Sequence, residues 1–166
     1  MIPQLSRPCA QWSSPEPETW DTLCRTMPRR MKVHELMCVD LVTLTEDDTL
    51  AHAEQCMRRG RIRHLPVIRG SQLVGLVTHR DLLAASFSMF AEIGRGEQRR
   101  VFSTIFVKDL MHQDVVTVSP ELPVAEAARL LLRSKFGCLP VVNDHTDLVG
   151  IITEADFLRL TVRLLP

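Results

Sequence analysis

The sequence predicts a fold of the α+β class, a mixed α/β arrangement in which one unit of about 55 residues occurs twice. Three motifs recur in the same order: Leu-Met before a short apolar run, Leu-Pro-Val within a second apolar run, and Gly-x-x-Thr-x-x-Asp. The matching segments are 33–43 and 107–117, 64–68 and 138–142, and 73–81 and 148–156. A unit of this size buries little apolar surface alone. We therefore expect two pseudo-symmetric copies packed against each other, with the functional site at the seam between them.

Each copy should begin with a short strand and a helix. In the first copy, residues 41–44 are rich in β-formers, and Asp47 or Asp48 offers an N-cap to a helix that ends at Gly60. In the second copy, Pro123 stands in the first helical turn, where proline is tolerated. The apolar positions at helical spacing are Leu50, Ala53, Cys56 and Met57, and then Val124, Ala127, Ala128, Leu131 and Leu132. One face of each helix should therefore lie on the core.

A hairpin and a second helix should complete each copy. The predicted strand pairs are 64–68 with 73–78 and 138–142 with 148–153. Turn-forming residues separate the strands, at Gly70-Ser71 and at 143–145. The second helices begin at His79 and Glu154. The predicted order is therefore β-α-β-β-α, twice.

Composition divides the chain into four segments. These are an N-terminal extension at 1–30, the first copy at 31–86, a helical linker at 87–106 and the second copy at 107–166. The extension holds half of the ten prolines and both tryptophans without a helical or strand period. We expect it to be mobile and dispensable for the fold.

Composition also argues against several classes of function. The chain has 166 residues, with 20 basic and 20 acidic side chains and no net charge, whereas binding to nucleic acid or to anionic membranes favours a basic excess. No apolar run reaches the roughly 18 residues of a membrane span. The five cysteines form no C-x-x-C pair, which argues against a disulfide framework or a zinc site. We expect a cytoplasmic protein without a nucleic-acid or membrane partner.

The paired motifs resemble those of the cystathionine β-synthase (CBS) domain pair, also called a Bateman module. The resemblance covers 31–164 and includes the full motif set in both copies. It implies two CBS repeats packed into one disc-like module with two clefts related by pseudo-twofold symmetry. It further implies that the clefts bind AMP, ADP, ATP or another adenosine derivative such as S-adenosylmethionine, and that modules pair into homodimers.

The Thr-x-x-Asp motifs are the strongest candidates for ligand contacts. Each lies where a strand ends and a helix begins, and the free N–H groups at such a helix start favour a phosphate. The aspartate one turn on can accept hydrogen bonds from both hydroxyls of a ribose. The nucleotide-binding set that the resemblance implies is Thr43, Arg63, His64, Pro66, Thr78, Arg80, Asp81, Thr117, Lys135, Gly137, Cys138, Pro140, Thr153 and Asp156.

The same motif has a purely structural interpretation. Thr followed three residues later by an acid is also a capping box, which stabilises a helix by about 0.5–2 kcal/mol without any ligand. The alternative function is therefore a ligand-free dimerisation or interaction scaffold.

The two clefts should differ in affinity. Arg63 can offer a basic side chain to a phosphate, but its counterpart in the second copy is Gly137. We expect the Thr78/Asp81 cleft to prefer phosphorylated adenosine, although Lys135 could compensate in the other cleft.

The sequence contains no Ser-His-Asp, paired-carboxylate or P-loop pattern. We therefore expect no enzymatic activity, no required cofactor and no metal site. The leading expectation is a regulatory module that binds an adenosine nucleotide and signals to a protein partner, whose identity the sequence does not give, by a change of conformation or oligomeric state.

Overall fold

The computed structural model describes residues 31–89 and 100–165, without the side chains of 87–89. The predicted N-terminal extension and the central part of the predicted linker lie outside the described residues. Residues from Met31 onward form one compact unit. None of the helices in the described ranges has the length and apolar character that a membrane span requires.

Helices and strands follow the predicted order in both copies. In the first copy they are α1 (Leu50–Gly60), β1 (His64–Arg69), β2 (Gln72–Thr78) and α2 (His79–Met89). In the second copy they are α3 (Val124–Ser134), β3 (Cys138–Val142), β4 (Leu148–Thr153) and α4 (Glu154–Leu164). A short 3-10 turn lies at the start of each copy, at Val33–Glu35 and at Val107–Asp109. The predicted α+β class is confirmed.

The predicted first strand of each copy is reduced to one paired residue. Leu44 forms an isolated parallel bridge with Val67, and Val118 forms the equivalent bridge with Val141. The strand predicted over 41–44 was too long. Only Leu44 pairs with the edge of the hairpin, because the chain turns towards α1 directly after this residue.

Helix α1 is capped by a residue that the sequence analysis did not select. Thr49 accepts a hydrogen bond from His52 N at 3.3 Å through its hydroxyl, so it is the N-cap in place of Asp47 or Asp48. Asp48 instead accepts from Thr45 N at 2.6 Å and from Thr45 Oγ1 at 2.8 Å. Its carboxylate therefore closes the turn before the helix.

Helix α3 packs one apolar face on the core, and one of the residues predicted for that face is not part of it. Its buried residues are Val124, Ala127 and Leu131, whereas Leu132 is 68% exposed and does not join the core as the periodicity suggested. Pro123 occupies the N-cap position, one residue before the helix. Both α1 and α3 are followed by a left-handed residue, Arg61 at φ 50° and Lys135 at φ 55°, which turns the chain sharply into the next strand.

The two hairpins have matching registers. His64 pairs with Thr78 at the open end of one hairpin, and Cys138 pairs with Thr153 at the open end of the other. In each hairpin the pairing register shifts once, after Val67 in the first hairpin and after Val141 in the second. The register brings the start of the first strand beside the end of the second strand, which is where each Thr-x-x-Asp motif begins.

The opening segments of the two copies, 33–42 and 107–116, cross over, and we call them the crossing segments. Val33, near the start of the first copy, is fully buried in the core of the second copy, and Val107, the first residue of the second copy, is fully buried in the core of the first. Val33 N donates to Leu122 O at 2.9 Å, and Val107 N donates to Asp48 O at 2.7 Å. Each copy therefore completes the core of the other.

Candidate functional site

A cleft of about 760 Å³ lies between the two copies. Its walls come from the start of β1, the junction of β2 and α2, the crossing segment 111–116, residues 135–138 and Glu154. The volume falls within the range of small-molecule sites, roughly 300–1,000 Å³. Because both copies supply walls, a molecule bound here would contact both.

The floor of the cleft is the junction of β2 and α2. His79 N, the first amide of the helix, donates to Arg63 O at 2.9 Å. Thr78 N and Thr78 Oγ1 donate to Asp81 Oδ2 at 2.7 and 2.8 Å. Asp81 thus reaches back to the residue before the helix, as the acid of a capping box does, which agrees with the structural interpretation of the motif in the first copy. The box also fixes the direction of the Asp81 carboxylate.

The second oxygen of Asp81 is held from the opposite copy. His112 Nε2 lies 2.9 Å from Asp81 Oδ1. Because an ionised carboxylate can only accept hydrogen bonds, Nε2 is the donor. The Asp81 side chain is 16% exposed, and that of His112 is 63% exposed.

The equivalent carboxylate in the second copy is held within its own helix. Thr153 N and Oγ1 donate to Asp156 Oδ2 at 2.8 and 2.7 Å, and Arg159 donates to Asp156 Oδ1 at 2.7 Å. Ala84 stands at the position of Arg159 in the first copy, and Cys38 at the position of His112 in the crossing segment. In both motifs the threonine donates to Oδ2 of the aspartate. The partner of Oδ1 differs, because it is His112 for Asp81 and Arg159 for Asp156.

The cleft carries charges of both signs. Its basic side chains are Arg63, Arg80 and Lys135, with the imidazoles of His64, His79 and His112, and its acidic side chains are Asp81, Asp114 and Glu154. Burial lowers the pKa of His64 below its ordinary value, and the positive charge of Arg63 adds to that effect. Burial raises the pKa of the Cys138 thiol to about 12, so this thiol stays protonated and is not a nucleophile at neutral pH.

Gly137 has a packing role that the repeat comparison did not reveal. A Cβ at this position would lie 2.6 Å from His64 Nε2 and 2.9 Å from its Cε1. The absence of a side chain lets the His64 ring lie against the second copy. Lys135, two residues earlier, lines the same cleft as Arg63, so its charge adds to the Thr78/Asp81 cleft.

Eight of the predicted site residues come together here: Arg63, His64, Thr78, Arg80, Asp81, Lys135, Gly137 and Cys138. Six do not line this cleft: Thr43, Pro66, Thr117, Pro140, Thr153 and Asp156. Sequence reasoning did not select the residues 111–115, which enter the cleft because the crossing segments exchange between the copies. The repeated Leu-Met near the start of each copy marked these segments, but it carries no signal of which copy they pack against.

The family model that matches this chain is the CBS domain, at residues 33–88 and 107–163. An inosine-5′-monophosphate dehydrogenase of Korarchaeum cryptofilum is 38% identical over 117 residues, which are 70% of this chain and 21% of the enzyme. A CBS domain-containing protein of Dictyostelium discoideum is 32% identical over 137 residues, 82% of this chain and 94% of the relative. This chain thus spans about a fifth of the dehydrogenase and nearly all of the second relative.

The fold is also similar to that of solved structures. CBSX2 of Arabidopsis thaliana, solved in complex with AMP, has a TM-score of 0.67 and 30% sequence identity. The match covers 80% of this chain and 97% of that one.

Proposed function

The chain belongs to the CBS domain family, and from this membership we propose that it is a regulatory module that binds an adenosine nucleotide in the cleft at Thr78 and Asp81. The observation that carries the proposal is the cleft of about 760 Å³ in which a fixed carboxylate, a helix start and three basic side chains face one space. The match to the dehydrogenase is confined to its CBS part, which supports a regulatory role in place of a catalytic one.

The polar groups of the cleft suit the two hydrophilic parts of a nucleotide. Asp81 Oδ1 faces the space where ribose hydroxyls could donate to it. The start of α2, with Arg63, Arg80 and Lys135, offers N–H donors and positive charge to phosphate, and charge-assisted hydrogen bonds of this kind contribute about 1.5–3 kcal/mol each. Apolar side chains line the remaining wall, at Leu76, Met111, Val115, Val116 and Phe136, and they can pack on a purine. The AMP complex of CBSX2, a relative at 30% identity, supports the same ligand class.

Signalling would follow from the position of the cleft. A ligand that contacts both copies favours the arrangement in which the copies hold it most tightly. The surface to which a protein partner binds would change with that arrangement.

We also propose that two modules form a homodimer through α2 and α4. Leu83 on α2 is 44% exposed, and Leu158 and Val162 on α4 are 68% and 73% exposed. Large exposed apolar side chains favour burial against a partner. Leu82 and Leu160 on the same two helices are buried within the module and so do not contribute to this surface.

A ligand-free scaffold is the second candidate function. It is favoured by the capping boxes, which satisfy Thr78, Asp81, Thr153 and Asp156 with partners from the chain itself.

Titration calorimetry of the full chain with AMP, ADP, ATP and S-adenosylmethionine tests the proposal. We expect AMP to bind, and Asp81→Ala to weaken binding at least tenfold, because it removes the ribose acceptor. Asp156→Ala is the matched control, since it destroys the equivalent capping box at the other motif and should leave this site intact. If the parent chain binds none of the four ligands at millimolar concentration, the scaffold is the better description.

A further inference from the structure

His112 combines a fixed main chain with an exposed side chain. Its main chain forms an antiparallel bridge with Leu76, in which each amide donates to the carbonyl of the other residue at 2.9 Å. Its imidazole is 63% exposed and reaches Asp81 Oδ1 from the opposite copy. The ring can therefore turn away from Asp81 without any movement of the backbone.

The ring occupies the place that the proposed ligand needs. Asp81 Oδ2 already accepts two hydrogen bonds from Thr78, so Oδ1 is the oxygen that remains for a ribose. His112 lies on that oxygen. A ribose that donates to the carboxylate with both hydroxyls must displace the imidazole.

We infer that His112 sets the nucleotide affinity of this cleft by competing with the ribose hydroxyls for Asp81 Oδ1. This inference rests on the proposed function. A ribose hydroxyl can donate to this oxygen only after the imidazole has left it. The free energy of the His112–Asp81 hydrogen bond is therefore subtracted from the free energy of nucleotide binding.

The device belongs to one of the two motifs. At the second motif Cys38 replaces His112, and Asp156 is held by Arg159 from α4. A histidine from the opposite copy therefore competes at Asp81 and has no counterpart at Asp156.

The test is calorimetry of AMP with the full-length parent and His112→Ala at pH 7.5. We expect His112→Ala to bind AMP about tenfold more tightly than the parent, the effect of one hydrogen bond to a charged group. For 2′,3′-dideoxy-AMP, which lacks the competing hydroxyls, the two proteins should bind equally. His145→Ala is the control, because this exposed histidine lies in the β3–β4 turn away from the cleft.

The outcomes separate this inference from the proposed function. If the parent binds AMP and Asp81→Ala abolishes that binding, but His112→Ala binds AMP equally or less tightly than the parent, the function stands and the role of His112 is wrong. If the dideoxy nucleotide responds to His112→Ala as AMP does, the competition does not involve the ribose and the inference also fails. If the parent does not bind AMP, both proposals fail. His112→Gln, which keeps a donor at this position, should bind AMP no more tightly than His112→Ala.

Discussion

Met111 lies against Gly75 so closely that a Cβ on the glycine would come within 2.6 Å of the methionine sulfur. The second copy repeats the contact, with Met37 against Gly150. Each methionine belongs to a crossing segment and each glycine to the second strand of a hairpin. The Leu-Met and Gly-x-x-Thr motifs thus recur together because they are two halves of one contact between segments.

We predict that Gly75→Ala lowers the free energy of unfolding by about 1–3 kcal/mol, the usual effect of overpacking a core. Met111 is flexible and can move, but the Cβ would also lie 3.1 Å from His112 O, which the bridge to Leu76 holds in place. Urea unfolding measures the change. Gly60→Ala is the control, because its Cβ would meet only the side chain of Ile62, at 3.3 Å or more. If Gly75→Ala and the parent were equally stable, the crossing segment would have moved to accommodate the added methyl group.

The crossing of the segments gives a second prediction, for deletions at the N-terminus. A chain that starts at Met31 should melt within about two degrees of the parent, because the compact unit begins there. A chain that starts at Val39 loses Val33, whose complete burial contributes about 1.5–3 kcal/mol, and also Met37. It should melt at least several degrees lower. Thermal unfolding, followed by circular dichroism, measures the melting temperatures of both deletions. Similar melting temperatures would contradict the burial of the first crossing segment in the second copy.

Local patterns predicted the helices and hairpins well, because their signals lie within a few residues. The leading strand at 41–44 was predicted too long because its apolar residues do not show how many of them reach a sheet edge. Eight of the residues that the family resemblance implied as nucleotide contacts line the cleft. The part contributed by His112 was missed, because a repeat shows which segments are equivalent but not which copy each one packs on.

His64 should make stability depend on pH. Burial lowers its pKa in the folded chain below the ordinary value of 6.5, so on acidification the unfolded chain takes up this proton first. The stability linked to His64 is complete above pH 6.5 and is lost as the pH falls from there towards the folded-state pKa. His64→Gln should therefore lose less stability than the parent between pH 7.5 and pH 5, measured by urea unfolding. His145→Gln, at an exposed histidine, is the control and should keep the pH profile of the parent. If His64→Gln also kept that profile, the pH dependence would not come from His64.

The proposed homodimer predicts a change of mass in one variant and not in its control. Leu158→Glu places a charge on the exposed apolar surface of α4, where burying it against a partner would be costly, so the protein should become monomeric. Leu132→Glu is matched, because both leucines are 68% exposed, but Leu132 lies on α3, outside the proposed interface. Multi-angle light scattering at micromolar concentration should give twice the chain mass of 18.8 kDa for the parent and for Leu132→Glu, and the single mass for Leu158→Glu. A parent at the single mass would rule out the dimer, and dissociation of Leu132→Glu alone would move the interface to α3.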